Sequence, residues 1–170
     1  MKFYPKENIG KSHIAEALVT KEWFVVLSMN LENKESHMML QKSWLAELAD
    51  LDSLSRTEDA RLKAFITMED DTYIPKYKND MASFKRRTVF VGTTNERQFL
   101  KGQTGNTRFL PLLIHGPILL DCLRAMREQL FAEALQHYHT SLQTWWHMPD
   151  DAQETANEER ELRRISNEYE

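Results

Sequence analysis

Residues 84–112 read FKRRTVFVGTTNERQFLKGQTGNTRFLPL. The apolar run at 88–92, rich in β-branched and aromatic side chains, predicts a strand that ends in the polar tip Thr93, Thr94, Asn95. A loop containing Gly102 and Gly105 then delivers a lone arginine, Arg108, ahead of Pro111. In a parallel α/β sheet the ligand crevice lies beyond the carboxyl ends of the strands. Asn95, with both an acceptor and donors, is suited there to orient a water or a phosphate oxygen. Glycines allow unusual backbone angles, and a planar guanidinium binds phosphate through two parallel hydrogen bonds, so Arg108 fits the same ligand. Plainer roles exist for both: Asn95 as the cap of a helix starting near Glu96, and Arg108 as a surface ion-pair partner.

Working upstream, residues 43–51 read SWLAELADL, an apolar strand over 43–48 with carboxylates at its end. Such carboxylates stand beside magnesium and polarise an attacking water. Glu47 is the first candidate and Asp50 the second; alternatively, Glu47 is an exposed strand residue and Asp50 turns the chain. Further upstream, PKENIGKS at 5–12 stands in the frame G-x-x-x-x-G-K-(S/T), with Pro5 in place of the first glycine. In such a loop backbone amides, including that of Gly10, cradle phosphates, Lys11 neutralises their charge, and the Ser12 hydroxyl ligates magnesium. The strand expected before the loop is almost absent, since only four residues precede Pro5.

The remaining pattern alternates helices and strands. Helices are expected at 12–19, 35–40 and 58–68, an apolar strand within 23–29, and a β-hairpin or extended loop over 73–84 that bends at Pro75. This predicts an α/β fold with a parallel sheet. Beyond Pro117 the period changes to three and four residues through Leu119, Leu123, Met126, Leu130 and Leu135, which predicts one long amphipathic helix at 118–140 whose apolar stripe needs a partner surface. Trp145, Trp146 and a break at Pro149 precede a charged helix at 152–165. We therefore divide the chain into a core, 1–116, and a helical lid or subdomain, 117–170.

The net charge of −4 excludes a globally basic nucleic-acid binder, yet charge is uneven. Residues 83–108 carry six basic side chains against one acidic, whereas 150–170 carry eight acidic and three basic. Lys85, Arg86, Arg87 and Lys101 in the basic strip are candidate DNA contacts. The single cysteine, Cys122, excludes an internal disulfide and, lying in an apolar helical pattern, is expected in the core. No apolar run approaches the ~20 residues that span a bilayer, and the amino terminus lacks the order of a secretion signal. A cytoplasmic protein without a membrane partner is expected.

Taken in order, GKS, WLAELADLDSLSR, LKAFIT, YIPKY, FVGTTN, TGNTRFLPL and REQLFAEALQHY followed by WW resemble the virulence-associated E family. That family comprises P-loop ATPases of phages, prophages and plasmids, related to the superfamily-three helicases that accompany replication primases. The resemblance implies a P-loop NTPase (AAA+/superfamily-three helicase-like) sheet with a carboxy-terminal helical lid, ATP and Mg2+ as ligands, DNA and primase or other replication proteins as partners, and homo-oligomers when active. It makes Lys11 and Ser12, after Gly10, the phosphate and magnesium residues, Glu47 and Asp50 the acidic pair, and Asn95 the sensor that orients the attacking water. Arg108 becomes the arginine near the γ-phosphate, of its own or of a neighbouring subunit's site, and Arg127 a lid-side nucleotide contact. Lys63 and Tyr77 also match the pattern, without an assigned role.

Departures from the family stand beside these matches. Pro5 and Asn8 replace loop glycines, and proline has no amide hydrogen for a phosphate cradle. The family's Gly-Asn-Arg-Arg-Phe reads Gly105-Asn106-Thr107-Arg108-Phe109, one arginine fewer, and Ile74 stands where arginine is usual. The chain looks like the carboxy-terminal part of such an ATPase. Two expectations compete: an ATP-hydrolysing module acting on DNA, and a degenerate domain that keeps the fold and an interaction surface without turnover.

Overall fold

The computed structural model describes residues 11–28, 31, 33–48, 51, 55–100, 105–114, 116–140 and 148–165, apart from the side chains of Ser12 and Arg56. In chain order these form α1 (Lys11–Val19), β1 (Phe24–Leu27), α2 (Lys34–Leu40), β2 (Leu45–Leu48), α3 (Arg56–Ile66), β3 (Asp70–Tyr73), β4 (Ala82–Lys85), β5 (Val89–Gly92), α4 (Leu120–Thr140) and α5 (Asp150–Leu162). Single 3-10 turns occupy Lys21–Trp23 and Asn106–Arg108. The fold is mixed α/β, as the alternating pattern predicts.

Strands β1, β2 and β5 make a parallel sheet in the order β1-β2-β5. The register pairs Leu27 with Leu48 and Leu48 with Gly92, so the three strands end at one level. Parallel neighbours need long crossovers. Helix α2 supplies the one between β1 and β2, while α3 and the β3–β4 hairpin fill the one between β2 and β5. The central strand, LAEL, has Ala46, Glu47 and Leu48 all buried, as expected for a strand covered on both faces. Leu27 of β1 joins it from the neighbouring strand, Leu31, Leu40, Leu62 and Phe65 close over it from the helices and loops, and Phe90 and Phe109 pack against the cluster.

Local chemistry sets the helix starts. Asn33 caps α2 by accepting from the Ser36 amide at 2.7 Å. Ser55 and Glu58 form a reciprocal capping box at the start of α3, satisfying two amides that the helix itself leaves without partners. The Thr88 hydroxyl lies 2.7 Å from the Leu40 carbonyl and 2.8 Å from that of Ser43, tying the start of β5 to the end of α2.

The hairpin expected over 73–84 is present, with β3 and β4 antiparallel and Tyr73 stacked on Phe84 at 4.8 Å. Its root is ionic. Asp71 is fully buried and accepts from Arg86 and from Gln41 Nε2 (2.9 Å), and it pairs with His37 Nδ1 at 2.7 Å. Arg86 also donates to the Phe65 carbonyl and lies over the Phe65 ring. This corrects one expectation: the Arg86 side chain is 4 % exposed and belongs to the fold, because a buried carboxylate on the neighbouring strand demands a cation.

Helix α4 forms with the expected length and packs on α1, but none of its residues is buried. Leu119, Met126, Phe131 and Leu135 are exposed, and so is Cys122, which the apolar pattern assigns to the core. Periodicity reports an apolar face, not what covers it. No helix among the described residues is long and apolar enough to cross a membrane.

Candidate functional site

The carboxyl ends of β2 and β5 and the amino end of α1 converge on one cleft of about 1040 Å3. Lys11, the first residue of α1, reaches across to the tip that follows β5. Its Nζ donates to the Thr94 carbonyl at 2.7 Å and to Asn95 Oδ1 at 2.5 Å. A helix amino terminus carries partial positive charge from its unpaired amides, and Lys11 adds a full charge at the same point.

Thr93 links this tip to the second strand. Its Oγ1 donates to Glu47 Oε1 at 3.1 Å, and Glu47 is only 6 % exposed. The exposed-strand role for Glu47 is thereby excluded, since the residue sits in a central strand covered on both sides. A buried carboxylate held by a hydroxyl suits a hard divalent cation, because Mg2+ is bound through one or two carboxylates together with substrate phosphates. Asn95 begins no helix: the segment after it is irregular, so the capping alternative falls away.

Arg108 enters the cleft from another direction. Gly105, at φ 77, initiates the 3-10 turn Asn106–Arg108, whose first amide bond runs from Arg108 N to the Gly105 carbonyl at 3.4 Å. A left-handed residue here favours glycine, and a Cβ at Gly105 would lie 2.6 Å from Arg108 Nη1. Lys11, Thr94, Asn95 and Arg108 all line the cleft, together with the apolar side chains of Ile14, Leu18 and Phe90. The result is an anion-receptive floor within apolar walls.

Other expected residues are placed as follows. Gly10, Asp50 and Lys101 lie outside the described residues, as does the Ser12 side chain. Arg127 stands on α4 and is not among the residues that line the cleft. Lys85 and Arg87 are exposed on and beside β4, Lys85 in an ion pair with Asp70 at 3.0 Å.

Three contributors escape the sequence reading. Thr93 and Thr94 serve through a hydroxyl and a backbone carbonyl, and their adjacency to Asn95 at a strand end is the signal that finds them. Arg163, which follows α5, also lines the cleft and pairs with Glu159 at 2.6 Å. No local pattern marks it, because its position depends on the end of α5 returning to the segment that follows β5, through the isolated Leu100–Arg164 bridge.

Residues 2–165 match the family model described as virulence-associated protein E-like domain. No curated protein matches the chain.

Proposed function

The chain belongs to the virulence-associated protein E-like domain family, and we propose that it binds Mg2+-ATP in the cleft at the carboxyl ends of β2 and β5 and works on DNA as an ATP-hydrolysing module. The carrying observation is the meeting of Lys11 with Thr94 and Asn95 in the cleft, next to Thr93, whose hydroxyl donates to the buried Glu47, a residue not itself among those that line the cleft. A cation, an amide and a buried carboxylate at one end of a parallel sheet are the groups that phosphoryl transfer to water requires.

In this reading Lys11 and Arg108 take the charge of the phosphate oxygens. Asn95 orients the attacking water, and Glu47 accepts a hydrogen bond from it. Glu47 would also hold Mg2+, which when bound neutralises phosphate charge and aligns the phosphate oxygens.

The DNA part of the reading is supported by the hairpin tip. Lys78 N closes a turn on the Pro75 carbonyl at 3.2 Å, and Tyr77 within it has φ 65 and is 93 % exposed. Lys76 Nζ lies 5.2 Å from the Tyr77 ring centroid. A bulky side chain in the left-handed region costs about 1 kcal/mol or more, and full exposure returns nothing to folding. An aromatic face beside lysines is what a single-stranded base stacks upon.

The test is phosphate release from Mg2+-ATP in the presence of single-stranded DNA. Glu47→Gln, which keeps an acceptor oxygen for Thr93, should lower the rate by about 100-fold or more, the contribution of a positioned base. Equal rates in the two proteins would overturn Glu47's role. A second reading, nucleotide binding without turnover, is favoured by Pro5 and Asn8, because a loop short of one amide hydrogen holds phosphates less firmly. Binding with no release at any DNA concentration would select it.

A further inference from the structure

Arg108 is exposed, and among the described residues its guanidinium makes one long hydrogen bond, Nη1 to the Gly105 carbonyl at 3.4 Å. Its neighbours are held far more firmly. From α3, Lys63 Nζ donates to Asn106 Oδ1 at 2.9 Å, pairs with Asp59 Oδ2 at 2.7 Å and lies 5.9 Å from the Phe109 ring centroid. The Lys63 side chain is 9 % exposed, an unusual place for an ammonium group. From α5, the buried Arg160 donates through Nε to the Phe109 carbonyl at 2.8 Å and through Nη2 to that of Thr107 at 3.4 Å. Its Nη1 is fixed in turn by Asn157 Oδ1 at 2.7 Å.

We propose that Lys63 and Arg160 are positioning residues for Arg108: two buried cations, on α3 and α5, clamp the turn from either side and aim the arginine into the cleft. Burying a charge is costly unless it is paired and hydrogen-bonded. Neither cation is among the residues that line the cleft, and each gives at least one donor to the residues flanking Arg108. The clamp also explains a sequence match without a role, since Lys63 acts on the turn through Asn106. A helix from the far end of the chain, α5, thus completes a site built on the sheet. The inference rests on the phosphate reading of Arg108, and its test separates the two.

The first measurement is hydrogen exchange without nucleotide. The Phe109 amide, bonded to the Asn106 carbonyl at 3.0 Å, should exchange about tenfold faster or more in Lys63→Met, while α3 amides stay protected. Asn106→Ala removes the same bond while leaving the buried lysine its ion pair with Asp59, and serves where Lys63→Met fails to fold. Lys63→Arg should restore protection. Unchanged exchange at Phe109 in both Lys63→Met and Asn106→Ala overturns the clamp.

The second measurement is the ratio of Mg2+-ATP to Mg2+-ADP affinity by calorimetry. Arg108→Ala should collapse the preference for ATP. Asn106→Ala should lower it with ADP affinity unchanged, and the double variant should be no worse than Arg108→Ala alone. Additive losses would overturn action through Arg108. If wild-type protein binds no nucleotide while exchange at Phe109 still rises in the variants, the clamp stands and the phosphate reading falls.

Discussion

Lys11 and Asn95 lie 84 residues apart in the chain and meet through a 2.5 Å hydrogen bond from Nζ to Oδ1. The bond joins the first residue of a helix to the tip beyond a parallel strand, so a positive charge is stationed at the strand ends. A phosphate entering the cleft competes with two neutral acceptors, Asn95 Oδ1 and the Thr94 carbonyl, and its charge makes it the stronger partner.

Removing that charge should therefore show in nucleotide affinity first. Lys11→Ala is expected to weaken Mg2+-ATP binding about 10- to 1,000-fold, the loss of one or two charge-assisted hydrogen bonds. Calorimetry on wild type and variant measures it. Tight binding that survives the substitution would place the nucleotide elsewhere.

Asp71 governs stability in acid. Burial pushes its carboxyl up, but the hydrogen bonds from Arg86 and His37 and the charge of Arg86 outweigh this and hold it below the ordinary value of 3.8. A depressed folded-state pKa contributes stability that is present above the unfolded value and is lost as pH falls through the folded one. Urea midpoints should fall as pH drops below about 4. Asp71→Asn should cost about 3–5 kcal/mol at neutral pH, by leaving Arg86 buried without its counter-ion, and should flatten that decline. An unchanged midpoint at neutral pH would refute the ionic root.

Tyr77→Gly should separate two properties. Glycine accepts positive φ without strain, so thermal stability should hold or rise slightly. Affinity for a single-stranded oligonucleotide should fall by roughly 5- to 150-fold, the equivalent of ~1–3 kcal/mol per stacked base. Fluorescence anisotropy measures the second quantity, and equal affinity would remove the hairpin tip from the DNA reading.

Gly92 ends β5 directly before Thr93, and a Cβ there would lie 2.1 Å from Leu51 Cδ1. Gly92→Ala should therefore destabilise by about 1–3 kcal/mol through overpacking. Adding Leu51→Ala opens the space, so the pair should cost less than the sum of the two single changes. Additive costs in urea denaturation would show that Leu51 is not the obstacle.

Most of the sheet was legible from residue pattern alone. The runs around Val25, Ala46 and Phe90 are short and apolar, and each becomes a strand of one parallel sheet. Asn95 was legible because a polar residue at a strand end has few structural duties. Arg86 was not, since a run of three basic residues reads as surface until Asp71 is known to face it across a hairpin. Cys122 misled for the opposite reason: its helix has an apolar stripe, but burial is decided by the neighbours a helix meets. Lys63 and Arg160 show the same limit, because their partners at 105–109 lie some 40 to 50 residues away.

Helix α3 grips two things at once. Arg86, at the hairpin root, holds the carbonyl of Phe65, and Lys63, one turn-fraction earlier on the same helix, holds Asn106 beside Arg108. The helix is an axle with two arms, one ending at an exposed tyrosine and the other at the arginine of the cleft. Because an α-helix is stiff over its eleven residues, the root of the hairpin and the turn that carries Arg108 share one rigid anchor.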